Sequence, residues 1–218
     1  MFTPIILAVI FTFLLLIGIT RFAFRNQVTN TITLADMKYC ERQIKKKYRI
    51  YTDIARKVDN ENDIDTIDIP ELAEHLNLQM ENVPSSFLEK DTRACLDIAI
   101  ENSGYNGIIR YTSDGDNDYE SNFDLIHEIM HYLKDVGAEK KVTKSFARMN
   151  HGNRRGYHEQ MIDYYAAAVA IPKESLQKRI RSHIGDPYDD CFVEKLTDIY
   201  KQPKNMIIRR IGEVEALS

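Results

Sequence analysis

Apolar positions recur along this 218-residue chain in several spacings, and each predicts a different element. An unbroken apolar run, FTPIILAVIFTFLLLIGIT, fills residues 2–20 without a charged side chain. As a helix it would measure about 28 Å against a hydrocarbon core of roughly 30 Å, which predicts an N-terminal transmembrane helix over 1–20. Over 37–58, Tyr39, Ile44, Tyr48, Tyr51, Ile54 and Val58 fall near a 3.6-residue period beside a charged face, and this predicts a helix. Beyond the polar break DNENDID, Pro70 starts a short helix in IPELAEH and Pro84 closes a strand over 78–83. Apolar runs at 95–100 and 107–112 flank the turn signal NSGYNG and predict two antiparallel strands. Helical spacing returns over 121–136, with Ser121 or Asn122 as the cap and Gly137 as the stop, and again in HEQMIDYYAAAVAIP. The tail CFVEKLTDIYKQPKNMIIRRIGEVEAL reads as a helix pair with KQPK as its turn.

With 44% hydrophobic and 28% charged residues, the chain can bury one good core and is neither disordered nor fibrous. The net charge of -4 conceals an asymmetry. Residues 21–50 hold eight Lys/Arg against two Asp/Glu, whereas 51–218 hold 21 against 31. Arg21 and Arg25 follow the apolar run rather than precede it, the reverse of a signal peptide, so the run predicts an uncleaved anchor. That basic flank, continued by Lys38, Arg42, Lys45, Lys46, Lys47 and Arg49, predicts a single-pass cell-membrane protein with a cytoplasmic C-terminal domain. The lysine run reads as a solvated helix face, and with no interleaved aromatics or reading motif no direct nucleic-acid binding is expected. Cys40, Cys95 and Cys191 are too few and too scattered for a disulfide framework or a thiolate metal site. The acidic stretch SDGDNDYESN fails as a calcium loop, because Tyr119 stands at the glycine position and Leu125 at the bidentate glutamate position.

The chemistry concentrates in His127-Glu128-Ile-Met-His131. Residues four apart share a helix face, so both imidazoles can reach one metal ion, with Glu128 beside them as a base for an activated water. A catalytic zinc needs a third protein ligand. Gly137 stands where a metzincin would place its next histidine, which closes that route. The following helix offers Glu159 as the third ligand and, one turn on, Asp163 to accept the free imidazole N–H of a ligand histidine. His151 and His158 are rival third ligands. Tyr157, His158 and His151 are open choices for a second oxyanion donor.

These features resemble the ImmA/IrrE family of zinc metallopeptidases over about residues 65–215. The resemblance is carried by IPELAEHLNLQMENVP, the strand GIIRY, the phenylalanine four residues before the histidine pair in NFDLIHEIMH, and the segment Glu159-Gln-Met-Ile162-Asp163-Tyr-Tyr165-Ala166-Ala167-Ala-Val-Ala-Ile171-Pro172. Met130 and Ile162 are bulkier than the family's usual residues there. The resemblance implies an α+β fold, here an N-terminal transmembrane helix followed by a mainly helical zincin-like domain with a small β-sheet. The expected units are the anchor (1–20), a basic juxtamembrane helical segment (21–60), the metallopeptidase domain (61–172) and a C-terminal helical segment packed on it (173–218). It further implies a zinc cofactor and a protein substrate such as a helix-turn-helix transcriptional repressor. Arg209 and Arg210 give the tail a faint helix-turn-helix look of its own, but its interspersed acids favour simple packing. The competing functional reading is a non-catalytic, membrane-bound regulator that uses the same fold to bind a partner.

Overall fold

The computed structural model describes residues 32–218 except 62, 91, 99–103, 114–117 and 137–155. Helix α1 (Leu34–Gln43) opens on a reciprocal cap in which Thr33 Oγ1 accepts from the Asp36 N–H and the Asp36 carboxylate accepts from the Thr33 N–H. A π-helical turn, Ile44–Tyr48, leads into α2 (Arg49–Ala55). The predicted helix over 37–58 therefore ends early. Arg56–Asp59 is instead β1, paired antiparallel with β2 (Ile64–Ile67). Its Arg56 guanidinium reaches Asp65 at 2.6 Å and the Val169 carbonyl, contacts that overrule the local helical spacing.

The Asp68 side chain caps α3 (Ile69–His75) by accepting from the Glu71 N–H. A second sheet follows, built from β3 (Leu78–Asn82), β4 (Ala94–Ile98) and β5 (Gly107–Tyr111) in the order β3-β5-β4. Central β5 runs antiparallel to β4, in the expected hairpin sense, and parallel to β3. A side chain at Gly107 would come within 3.0 Å of the Asp97 carbonyl oxygen and 3.2 Å of Leu78, so only glycine lets the three strands close there.

Helix α4 (Tyr119–His131) packs on β4 and runs into a second π-helical turn, Tyr132–Val136. Its cap is Asp118, not Ser121 or Asn122. The Asp118 carboxylate accepts from the Ser121 N–H and also binds Arg93 at 3.0 Å, which gives this part of the acidic stretch a structural role. Helix α5 (Tyr157–Ala170) lies against α4 and α1, with Ile162, Tyr164, Tyr165 and every residue over 166–170 buried. The run of alanines lets neighbouring helices approach closely. Helices α6 (Lys173–Ser182), α7 (Asp190–Tyr200) and α8 (Lys204–Ala216) complete the chain. The α7–α8 turn is made by Lys201 at φ 54° and by Pro203, which precedes the first turn of α8.

The expected architecture of a transmembrane helix followed by one small sheet and helices is corrected in two respects. Among the described residues no helix is long and apolar enough to cross a membrane. The apolar helix α5 has 14 residues, about 21 Å, and buries its apolar side chains against protein. The stretch 2–20, on which the expectation rested, lies outside the described residues. The strands also form two small sheets rather than one.

One buried ionic cluster ties the two ends of the described chain together. Arg210 on α8 is fully buried, pairs with Glu41 of α1 at 2.6 Å and with Glu213 at 3.3 Å, and donates from Nε to the Ile171 carbonyl. Its guanidinium lies 5.2 Å from the Tyr164 ring centroid, and the Tyr164 hydroxyl donates to Glu41. Such a cation is tolerated in the interior only while its partners persist. Glu41→Ala leaves Glu213 as the remaining carboxylate, so the expected loss of stability is about 3 kcal/mol, at the low end for a broken buried pair. Urea unfolding measures it, and a loss below about 1 kcal/mol would show the cluster to be dispensable.

Candidate metal centre

The helical period places His127 and His131 on one face of α4 and Glu159 and Asp163 on one face of α5. Packing of α4 on α5 brings the two faces together. His127 Nε2 and His131 Nε2 lie 3.1 Å apart, and Glu159 Oε2 is 3.3 Å from the second and 3.4 Å from the first. His131 is almost fully buried, while Glu159 keeps about a quarter of its side chain exposed. The three sequence-derived ligands thus meet at one point, reached from solvent on the Glu159 side.

The hydrogen bonds on the far side of each ring determine what the near side presents. His127 Nδ1 is 2.9 Å from Asp163 Oδ1, and His131 Nδ1 is 2.9 Å from Asp135 Oδ2. A carboxylate can only accept, so each Nδ1 carries a proton, and a ring in its neutral form turns an Nε2 lone pair inward. Two imidazole nitrogens and a carboxylate oxygen within 3.4 Å of one another require a positive charge among them, either a second proton on a ring or, with both rings neutral, a bound cation. The spacing suits zinc, since a tetrahedron with bonds of about 2.0–2.1 Å has edges of about 3.3–3.4 Å. Among the described residues these three N/O donors would leave a fourth position open, the arrangement of catalytic rather than structural zinc sites.

Electrostatics favour positive charge here as well. Burial alone would push His127 down, but the hydrogen bonds to Asp163 and Glu159 and the charge of Glu128 outweigh it and lift the ring to about 9. Burial likewise opposes protonation of His131, and Asp135 and Glu159 override it, so that ring is raised too. Glu128 is itself buried, and its negative charge reaches both rings.

Of the rival ligands, His158 falls elsewhere. His158 turns its Nε2 to Asp135 Oδ2 at 3.1 Å and its Nδ1 toward Lys134 at 3.5 Å, so it braces Asp135 rather than joining the cluster around Glu159. Tyr157 hydrogen-bonds Asp36. His151 lies outside the described residues. Asp135 is the residue missing from the sequence-derived site. Its signal was the same four-residue step that links the histidines, since His131 and Asp135 repeat that spacing once more. It sits in the π-helical turn after α4, a feature often associated with functional positions. Asp135→Ala is expected to weaken zinc binding by about 10- to 100-fold while Glu128→Gln leaves it within about threefold. Competition with a chromophoric chelator reads both, and unaltered affinity in Asp135→Ala would remove Asp135 from the site.

The sequence profile of the M78 peptidase family, described as an IrrE N-terminal-like domain, matches residues 66–211. No curated protein and no solved structure matches the chain. The matched region takes in two thirds of the 218 residues, including both histidines, Glu128, Asp135, Glu159 and Asp163. With a His-His-Glu donor set inside those bounds, the chain belongs to the M78 peptidase family, a family of zinc metallopeptidases.

Proposed function

We propose that the protein is a zinc-dependent endopeptidase, with His127, His131 and Glu159 as the metal ligands and Glu128 as the general base. The observation that carries this reading is the convergence of three lone pairs on one point with a buried carboxylate next to the first ligand in sequence. When bound, zinc supplies a Lewis acid that polarises a carbonyl and lowers the pKa of water toward about 7. Glu128 takes the proton of the attacking water on its carboxylate and delivers it to the departing amine, so one group serves as base and then as acid. Asp163 and Asp135 hold the Nδ1 protons of His127 and His131, which keeps both rings in the tautomer that points Nε2 inward. The buried position of Glu128 limits competing solvation of its charge.

The substrate is a protein, and the ImmA/IrrE likeness supports a regulatory one such as a helix-turn-helix repressor cut at a limited site. Arg210 is fully buried and Arg209 is held by carboxylates, which supports packing as the role of the C-terminal helix pair.

Glu128→Gln separates catalysis from binding. It is expected to reduce cleavage by about 10²- to 10⁴-fold while leaving zinc bound. Fragment profiling of native cells carrying either form reads the outcome: a protein fragment present only with the wild type supports a peptidase. Identical profiles and an unchanged biological effect would instead leave a zinc-binding regulator.

A further inference from the structure

Asp163 turns Oδ1 to His127 Nδ1. Its other oxygen, Oδ2, lies 3.6 Å from Nη1 of Arg209 on α8. At that distance the contact is an ion pair rather than a hydrogen bond, so it acts through charge on a carboxylate that is itself nearly buried. Arg209 does not float to this position. Its Nε donates to Glu213 Oε1 at 2.8 Å, and the second oxygen of Glu213 pairs with Arg210, the fully buried cation anchored to Glu41 and to the Ile171 carbonyl. Glu213 is buried, so the fork of Arg209 is clamped at Nε while Nη1 is presented to Asp163.

We propose that Arg209 is a positioning residue of the metal centre, orienting Asp163 and, through it, the Nδ1–H of His127. Two effects follow from the geometry. The guanidinium draws Oδ2 toward α8, which turns Oδ1 to the imidazole. It also sets a positive charge beside a nearly buried carboxylate that lies against His127. Among the described residues the ion pairs of Arg209 are with Asp163 and Glu213 and not with a candidate metal ligand, so it acts through Asp163. The C-terminal helix is thereby part of the site rather than packing alone.

This inference rests on the zinc-site reading, and the test separates the two. Zinc affinity of the full chain is measured by chelator competition, together with the visible spectrum of the cobalt(II)-substituted protein, for wild type, Arg209→Met, Arg209→Lys, Asp163→Asn and the Asp163→Asn/Arg209→Met double variant. Arg209→Met is expected to bind zinc about 10-fold more weakly and to alter the cobalt bands. In the Asp163→Asn background the same change is expected to shift affinity less than about twofold, because its route to the ring is gone. Arg209→Lys, which keeps charge but loses the fork, is expected to fall between wild type and Arg209→Met. Should Arg209→Met fail to fold, Arg209→Lys against wild type decides. Wild-type affinity and cobalt spectrum in a folded Arg209 variant, or an equal loss with and without Asp163, would overturn the proposal. A wild-type chain that binds no zinc would overturn the metal site itself.

Discussion

The structure depends on a repulsion that needs a counter-charge. Two imidazole nitrogens and a carboxylate oxygen are held within 3.4 Å of one another, an arrangement that needs a positive charge, a proton or a metal ion, among them. Nothing in the intrinsic preferences of α4 or α5 would bring these groups together. They are forced into proximity by the apolar packing of the two helices, with Ile126, Ile129 and Met130 on one side and Ile162, Tyr165 and Ala166 on the other all buried. A bound cation would convert that repulsion into attraction.

Around this point the chain arranges carboxylates in a consistent pattern. Each ligand imidazole has its own acceptor, Asp163 for His127 and Asp135 for His131, and each acceptor has a further partner, Arg209 and His158 respectively. On the Arg209 side the bonding continues through Glu213 and Arg210 to Glu41, reaching from the candidate metal centre to the first described helix. Helix α1, the end of α5 and helix α8 are therefore fixed to one another by charge as well as by apolar contact. A rigid outer frame matters because small displacements of a ligand ring change both metal affinity and the geometry of the open position.

How much of this was legible in the sequence follows from the range of each interaction. His127 and His131 share one helix, as do Glu159 and Asp163, so the four-residue step alone put each pair on a common face. The same step reaches Asp135, but nothing in YLKDV announces the π-helical turn that carries it. Arg209 could not be placed from sequence, because its pairing with Asp163 depends on how α8 docks on α5. The run over 56–59 shows the opposite failure: its helical spacing was real but weaker than the ladder to Ile64–Ile67 and the anchoring of Arg56. At the start of α4, Asp118 displaced Ser121 as the cap because it serves Arg93 as well as the Ser121 N–H.

X-ray absorption at the zinc edge of the purified full-length protein tests the central claim most directly. The account predicts one zinc per chain with only nitrogen and oxygen neighbours at about 2.0–2.1 Å, two of them showing imidazole scattering, and loss of one light neighbour in Glu159→Ala. Absence of stoichiometric zinc, sulfur in the coordination shell, or a spectrum indifferent to Glu159→Ala would contradict it.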